Sequence, residues 1–160
     1  MYNIYLISRI HSSSHTHNEA VAKMLVANVF IPHQNNPCDI DHEKLSQAIF
    51  QIDLDAMKRS DCGCIAFPVR CDCSAEIGWY HGNGKPVYGV IVDTLAGESC
   101  VKQYQQLQGN WMVKGFIHHV FVVGCEQTYK LCTDDPILGN KTTFVNDASE
   151  LHAYLEGALK

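Results

Sequence analysis

The sequence predicts a doubly wound α/β fold: a mainly parallel five-stranded sheet with helices on both faces. Three observations carry this. Short β-rich runs alternate with segments whose apolar residues recur at helical spacing. Residues 62–67 (CGCIAF) and 86–92 (PVYGVIV) are apolar nearly throughout, as strands covered on both faces are. Gly, Pro, Asn and Asp cluster between the runs, where turns belong.

Taken in order, residues 3–7 (NIYLI) read as the first strand, and 8–17 as a loop of hydroxyls and histidines. Over 19–29, Ala20, Met24 and Ala27, with Val21 and Leu25 alongside, share one helical face. A second strand is placed near 29–32. HQNNPCDID follows as loop chemistry, and Asp41 can cap a helix reaching Arg59, with Leu45, Ile49, Ile52 and Met57 inward. Residues 62–67 form the third strand. From 67 to 92 the chain reads as a strand end, a polar loop, a helix with Glu76 in its first turn, a stop at Gly82 and Gly84, and a fourth strand after Lys85-Pro86. Residues 99–108 are a polar helix closed by Gly109, and 120–124 a fifth strand. Residues 125–144 show no period and read as a surface excursion. Asn146 or Asp147 caps a last helix through Leu159, with Leu151, Tyr154, Leu155 and Ala158 on one face. There is no internal repeat, so residues 1–160 are expected to form one domain of flavodoxin-like or Rossmann-like topology. Neither GxGxxG after strand one nor a phosphate-binding P-loop is present.

Composition narrows the partners. Seventeen acids against twelve bases give a net charge of −5, which disfavours a nucleic-acid backbone. No apolar run approaches the roughly 20 residues of a bilayer span, and the N-terminus lacks the features of a secretory signal, so no membrane partner and a cytoplasmic location are expected. Eight cysteines (38, 62, 64, 71, 73, 100, 125 and 132) are then expected as thiols. The CxC pairs at 62/64 and 71/73 invite a zinc reading, but Cys62 and Cys64 fall on one face of a strand, where thiols pack as small apolar groups. Cys71 and Cys73 are placed on the loop, exposed. His11, His15, His17 and His33 have no recognisable metal spacing. No metal and no cofactor are expected.

The chemistry concentrates in Asp53, Asp72 and Glu76. A loop leaving the carboxyl end of a parallel strand is where open α/β sheets bind ligands. Two or three carboxylates around a cleft are what glycosidic-bond cleavage requires, one at the anomeric carbon and another handling the leaving group's proton. If Asp72 and Glu76 are both helical they share a face at i, i+4, and repulsion raises one pKa. Gly78 leaves room for an approaching ring. The bland alternatives are an N-cap for Asp72, a solvated helix acid for Glu76 and an exposed face shared with Lys58 for Asp53. Asp61 is expected to tether the turn into strand three.

Four segments resemble the nucleoside 2-deoxyribosyltransferase family, which includes nucleoside 5′-monophosphate N-glycosidases: Ile4-Tyr5-Leu6; Ile31-Pro32-His33; the run DLDAMKRSDC from Asp53; and Glu76-Ile77-Gly78 followed by Gly84-Lys85-Pro86-Val87. Asn110-Trp111-Met112 is similar to the family's NxM segment. The resemblance implies that Glu76 is the nucleophile, Tyr5 its hydrogen-bonding partner and Asp53 the acid that positions or protonates the base. It further implies that Asn110 is contributed by a neighbouring subunit, hence a homodimer or higher homo-oligomer. Arg9, with Ser12 and Ser13, is comparable to the arrangement that holds a 5′-phosphate in the monophosphate N-glycosidases. His33, Gln34 and Asn36 are candidate base-edge contacts, and ordinary turn residues are the competing account. The loop before Glu76, VRCDCSA, departs from the family's DxGTAxE pattern: it has no glycine, and Asp72 stands four residues before the glutamate. The function implied is cleavage or transfer of the N-glycosidic bond of a nucleoside or nucleotide. The other reading is a catalytically silent domain that senses such a ligand.

Overall fold

The computed structural model describes residues 2–25, 27–37, 42–94 and 99–159, without the side chains of residues 42 and 43. Six parallel strands lie in the order β2-β1-β3-β4-β5-β6. They are β1 (Asn3–Ile7), β2 (Asn28–Phe30), β3 (Cys62–Ala66), β4 (Val87–Val92), β5 (His119–Val123) and β6 (Thr142–Val145). The helices are α1 (His15–Leu25), α2 (Pro32–Asn35), α3 (His42–Arg59), α4 (Cys71–Gly82), α5 (Cys100–Gln108), α6 (Trp111–Phe116), α7 (Glu126–Thr133) and α8 (Ala148–Ala158).

Strand alternation divides the core. Tyr5, Ile7, Ile65, Ile91 and Val122 face one side, under α3, α4, α5, α6 and α7. Ile4, Leu6, Cys62, Cys64 and Phe121 face the other, under α1 and α8. The sheet grows away from β1 in both directions, with β2 on one side and β3 on the other. The crevice beyond the carboxyl ends of β1 and β3 is therefore the topological switch point.

The sixth strand corrects the expectation of five. Residues 125–144 are not a surface excursion but a helix and an edge strand, with Thr128, Cys132 and Leu138 buried. The Thr142–Val145 strand is too short, and its first three residues too evenly half-buried, to show alternation. Helix α1 starts and stops four residues before its predicted span, because the His/Ser-rich stretch supplies its first turn. Helix α6 was not anticipated. Tyr154 is half-exposed rather than part of the buried face of α8, whose cap is Asp147, accepting from the Ser149 and Glu150 N–H groups. The predicted cap Asp41, and Cys38, lie outside the described residues. Asp61 tethers as expected, its carboxylate accepting from Asn3 N–H at 2.8 Å.

One staple sets α3 against α4. Lys85 Nζ donates to the carbonyls of Met57 (3.1 Å), Lys58 (2.8 Å) and Ser60, satisfying orphan acceptors at the end of α3. The Ser60 hydroxyl in turn meets the Tyr80 phenol on α4. Gly63 on β3 admits the Tyr80 ring: a Cβ there would stand 3.1 Å from it and 2.8 Å from Ile7 Cδ1. Lys85→Met is expected to lower the unfolding midpoint by roughly 3–8 °C, since about 1.5–2 kcal/mol of charge-assisted bonding is lost. Thermal unfolding followed by circular dichroism checks this; a change under a degree would mean that water serves those carbonyls equally well.

Candidate active site

Tyr5 lies mid-strand in β1 on the α3–α4 side, its ring stacked on Phe30 at 5.6 Å and 12°. That packing fixes the direction of its hydroxyl, which donates to Glu76 Oε1 at 2.7 Å. Glu76 comes from α4. The helix begins at Cys71, so Glu76 sits in the second turn and not the first; Asp72 is the first-turn acid, and its Oδ1 accepts from Cys73 N–H at 3.0 Å. Cys73, Ile77 and Tyr80 form the buried face of α4, which leaves Glu76 half-buried beside them. Cys73 is accordingly core rather than exposed, whereas Cys71 is exposed as expected.

Asp53, on α3, is half-buried, and its Oδ1 is buried with no hydrogen-bond partner. Lys58 pairs with Asp55 instead, at 3.7 Å. An unsatisfied buried carboxylate oxygen is costly, and such a group is explained by a ligand's donor or by a proton.

The electrostatics agree with that geometry. Burial pushes Glu76 up to about 8; the Tyr5 hydrogen bond works against burial, and the Asp53 and Asp72 charges add to it. Burial likewise raises Asp53 to about 6, again opposed by the Tyr5 hydroxyl. Tyr5 is itself held neutral by burial and then by Glu76. Two neighbouring carboxyls, one of them bonded to the Tyr5 phenol, thus have pKa values set apart from each other.

Beyond the end of β1, Ser8 Oγ and Arg9 Nε are buried and without partners. A cleft of about 230 Å³ is lined by Arg9, Ile10, His11, Arg70 and Asp72. A larger cavity of about 520 Å³ opens at the opposite end of β1, and its described lining carries Arg59 but no acid. Of the unpartnered groups, Arg9 lines the smaller cleft, beside Asp72.

The remaining predicted residues are placed as follows. Ser12 and Ser13 are exposed in a one-turn 3-10 helix, and Ser13 bonds to His11 Nδ1 through its hydroxyl at 2.9 Å. His33 stacks on His15 at 3.9 Å, and Gln34 donates to Glu19 at 3.2 Å, so both turn toward α1 rather than the Tyr5 cluster. Asn36 is half-buried at the end of α2. A Cβ built at Gly78 meets nothing within 4 Å. Asn110 caps α6, its Oδ1 accepting from Val113 N–H at 3.2 Å, and Trp111 and Met112 beside it are 70% and 69% exposed. Trp79 faces Lys85, and the Tyr80 hydroxyl meets Ser60 while its ring tilts against Tyr5 at 6.3 Å. The sequence reading missed Arg70, His11 and Phe30. Arg70 had a usable signal, since it leaves β3 where Arg9 leaves β1.

Fold and site together define a doubly wound α/β protein with paired acids at its switch point. Among solved structures, a 2-deoxyribosyltransferase from the psychrotolerant bacterium Bacillus psychrosaccharolyticus superposes with a TM-score of 0.60 at 19% identity, over 98% of this chain and 95% of that one. A conserved protein from Enterococcus faecalis V583 superposes with a TM-score of 0.52 at 16% identity, over 99% of both chains. At these identities the likeness is one of fold. The sequence itself matches no family model and no curated protein. Among the described residues no helix is long and apolar enough to cross a membrane, and no group of His, Cys, Asp and Glu is arranged to hold a metal.

Proposed function

We propose that the protein cleaves or transfers the N-glycosidic bond of a nucleoside or nucleoside 5′-monophosphate through a covalent intermediate on Glu76. The observation that carries this is the Tyr5–Glu76 hydrogen bond at 2.7 Å with Asp53 presenting an unpartnered carboxylate oxygen. Glu76 attacks C1′, forming a C1′–O bond as the C1′–N bond breaks. Asp53 gives the departing base its proton, and water or a second base then displaces Glu76. Tyr5 holds the nucleophile in line. Asp72, one turn earlier on α4, adds negative charge near the developing oxocarbenium. The likeness of fold to a 2-deoxyribosyltransferase supports the same reading.

Arg9, flanked in the cleft by Arg70 and His11, would take a 5′-phosphate; two guanidinium groups facing one small cleft favour an anion. A second copy of the chain would cover Trp111 and Met112 and bring Asn110 to the site, giving a homo-oligomer. The described thiols are free, which fits a reducing, cytoplasmic setting.

The second reading, a silent nucleotide sensor, draws on the burial of Glu76, which raises it to about 8 and so keeps the carboxyl protonated at neutral pH. A panel of deoxynucleosides, ribonucleosides and monophosphates, with and without acceptor base, separates the two when free base is followed by chromatography. Thermal stabilisation by a ligand with no turnover anywhere on the panel would establish the sensor. Arg9→Ala is expected to cut kcat/KM for monophosphates by about 10–100-fold while changing nucleoside use little. Equal losses on both would remove the phosphate assignment.

A further inference from the structure

A cluster of thiols lies outside the Tyr5–Glu76 site, where the carboxyl ends of β4 and β5 meet α5 and α7. The two strands pair in register there, with Val92 opposite Val123. Asp93 follows Val92, and its Oδ1 accepts from Cys100 N–H at 2.6 Å, which pins the first residue of α5 to the end of β4. Cys125 occupies the cap position of α7, two residues past Val123, and its thiol donates to Thr128 Oγ1 at 3.2 Å. The Cys100 thiol lies near both the Cys125 sulfur and the Asp93 carboxylate, close enough for their charges to raise it. Cys100 is buried, whereas Cys125 is half-buried and reachable by a small solute.

We propose that Cys100 and Cys125 form a reversible disulfide under a peroxide, with Cys125 as the attacking thiol and Cys100 as the resolving one. The Cys125 sulfur gives up its proton and attacks a peroxide oxygen; the S–O bond forms, the O–O bond breaks, the departing hydroxide takes that proton as water, and a sulfenic acid remains. Cys100 then attacks the Cys125 sulfur while its proton passes to Asp93. The S–S bond forms, the S–O bond breaks, and the departing hydroxide recovers that proton as water. Two thiols lose two electrons and hydrogen peroxide becomes two waters. Burial, then the Asp93 charge and the Cys125 sulfur, hold Cys100 well above the ordinary thiol range, which suits a resolving thiol that reacts only once a base and an activated sulfur stand beside it. Cys132 is also buried near Cys125, with Asp135 as its charged neighbour, and is the competing partner. Cys62 and Cys64 are sealed in β3, and Cys73 is sealed under α4.

The bridge would close a loop of about 25 residues, which limits the unfolded chain and raises the unfolding midpoint by on the order of 5–10 °C. The full chain is treated with a small molar excess of hydrogen peroxide, blocked with an alkylating agent under denaturing conditions, and digested without reductant. The expected product is a Cys100–Cys125 cross-linked peptide pair, two hydrogens lighter than the sum of the free peptides and reversed by dithiothreitol. Cys100→Ser should trap a dimedone-reactive Cys125. Recovery of both cysteines fully alkylated, a Cys125–Cys132 link in their place, or Cys125 advanced to the sulfinic acid without any cross-link would each overturn the proposal. The wild-type peptide map decides the matter even if a variant fails to fold.

Discussion

Glu76→Gln is expected to lower the rate of base release by about 10⁴-fold or more, because the amide keeps the shape and the Tyr5 hydrogen bond but cannot form the glycosyl ester. The wild-type rate should follow a bell in pH, with apparent limits near 6 and 8. Those values belong to the Asp53–Glu76 dyad, which between them holds one proton. With Glu76 the higher of the two, that proton rests mainly on Glu76. The proposed mechanism needs it on Asp53, so its productive form is the minor tautomer, and a positive charge developing at C1′ is what would favour it. Two variants test the pairing where a loss of rate would not. Tyr5→Phe removes a bond that holds Glu76 down, so the alkaline limit should move up. Asp53→Asn removes a charge that pushes Glu76 up, so the acid limit should vanish and the remaining one should fall. A profile unmoved by either change would mean that the three groups do not act as one unit.

The parts of this arrangement that sequence could reveal were those with a period or a local rule. Strands β1, β3, β4 and β5 were legible because four are apolar runs bounded by turn residues, and α3 and α8 because their apolar faces recur at helical spacing. Strand β6 was not, being three half-buried residues and one buried at a sheet edge, too few to show alternation. The position of Glu76 within α4 was misjudged because Arg70 precedes the helix without a side-chain cap, so no local signal marked Cys71 as its start. The grouping of Tyr5 with Glu76 joins residues 71 apart in the chain, and no periodicity reports that; only the resemblance of short segments pointed to it. Asp53 illustrates the limit most clearly. Lys58 made a solvated face the simple reading, and Lys58 did form an ion pair, but with Asp55. Local charge pattern predicts who can pair; only the packing of α3 on the sheet decides which carboxylate is turned inward.

Holding acids in such a crevice has a consequence for folding. Glu76 moves from about 4.5 in the unfolded chain to about 8, and Asp53 from about 3.8 to about 6. Both are raised, so the native state binds more protons between those limits; the stability they contribute is complete below about pH 4 and is lost as pH rises through 8. Other groups act differently. Burial lowers His33, His118 and His119, whose contribution grows as pH rises through the histidine range. Asp135, which burial would raise, is lowered by its bond to Lys114, and its effect falls in the acid range. Comparing Glu76→Gln with the wild type cancels these. Near pH 5 the two proteins should unfold at nearly the same temperature, since a neutral Glu76 and a glutamine are isosteric and both accept from Tyr5. Above pH 8 the glutamine variant should be the more stable by about 2–4 kcal/mol, or roughly 5–15 °C, because the wild type must then keep a charge where burial disfavours it. Differential scanning calorimetry of both proteins from pH 5 to 9 gives the answer directly. A difference that stays flat across that range would mean that Glu76 is solvated in the native state, and a solvated carboxylate would not need Tyr5 to hold it.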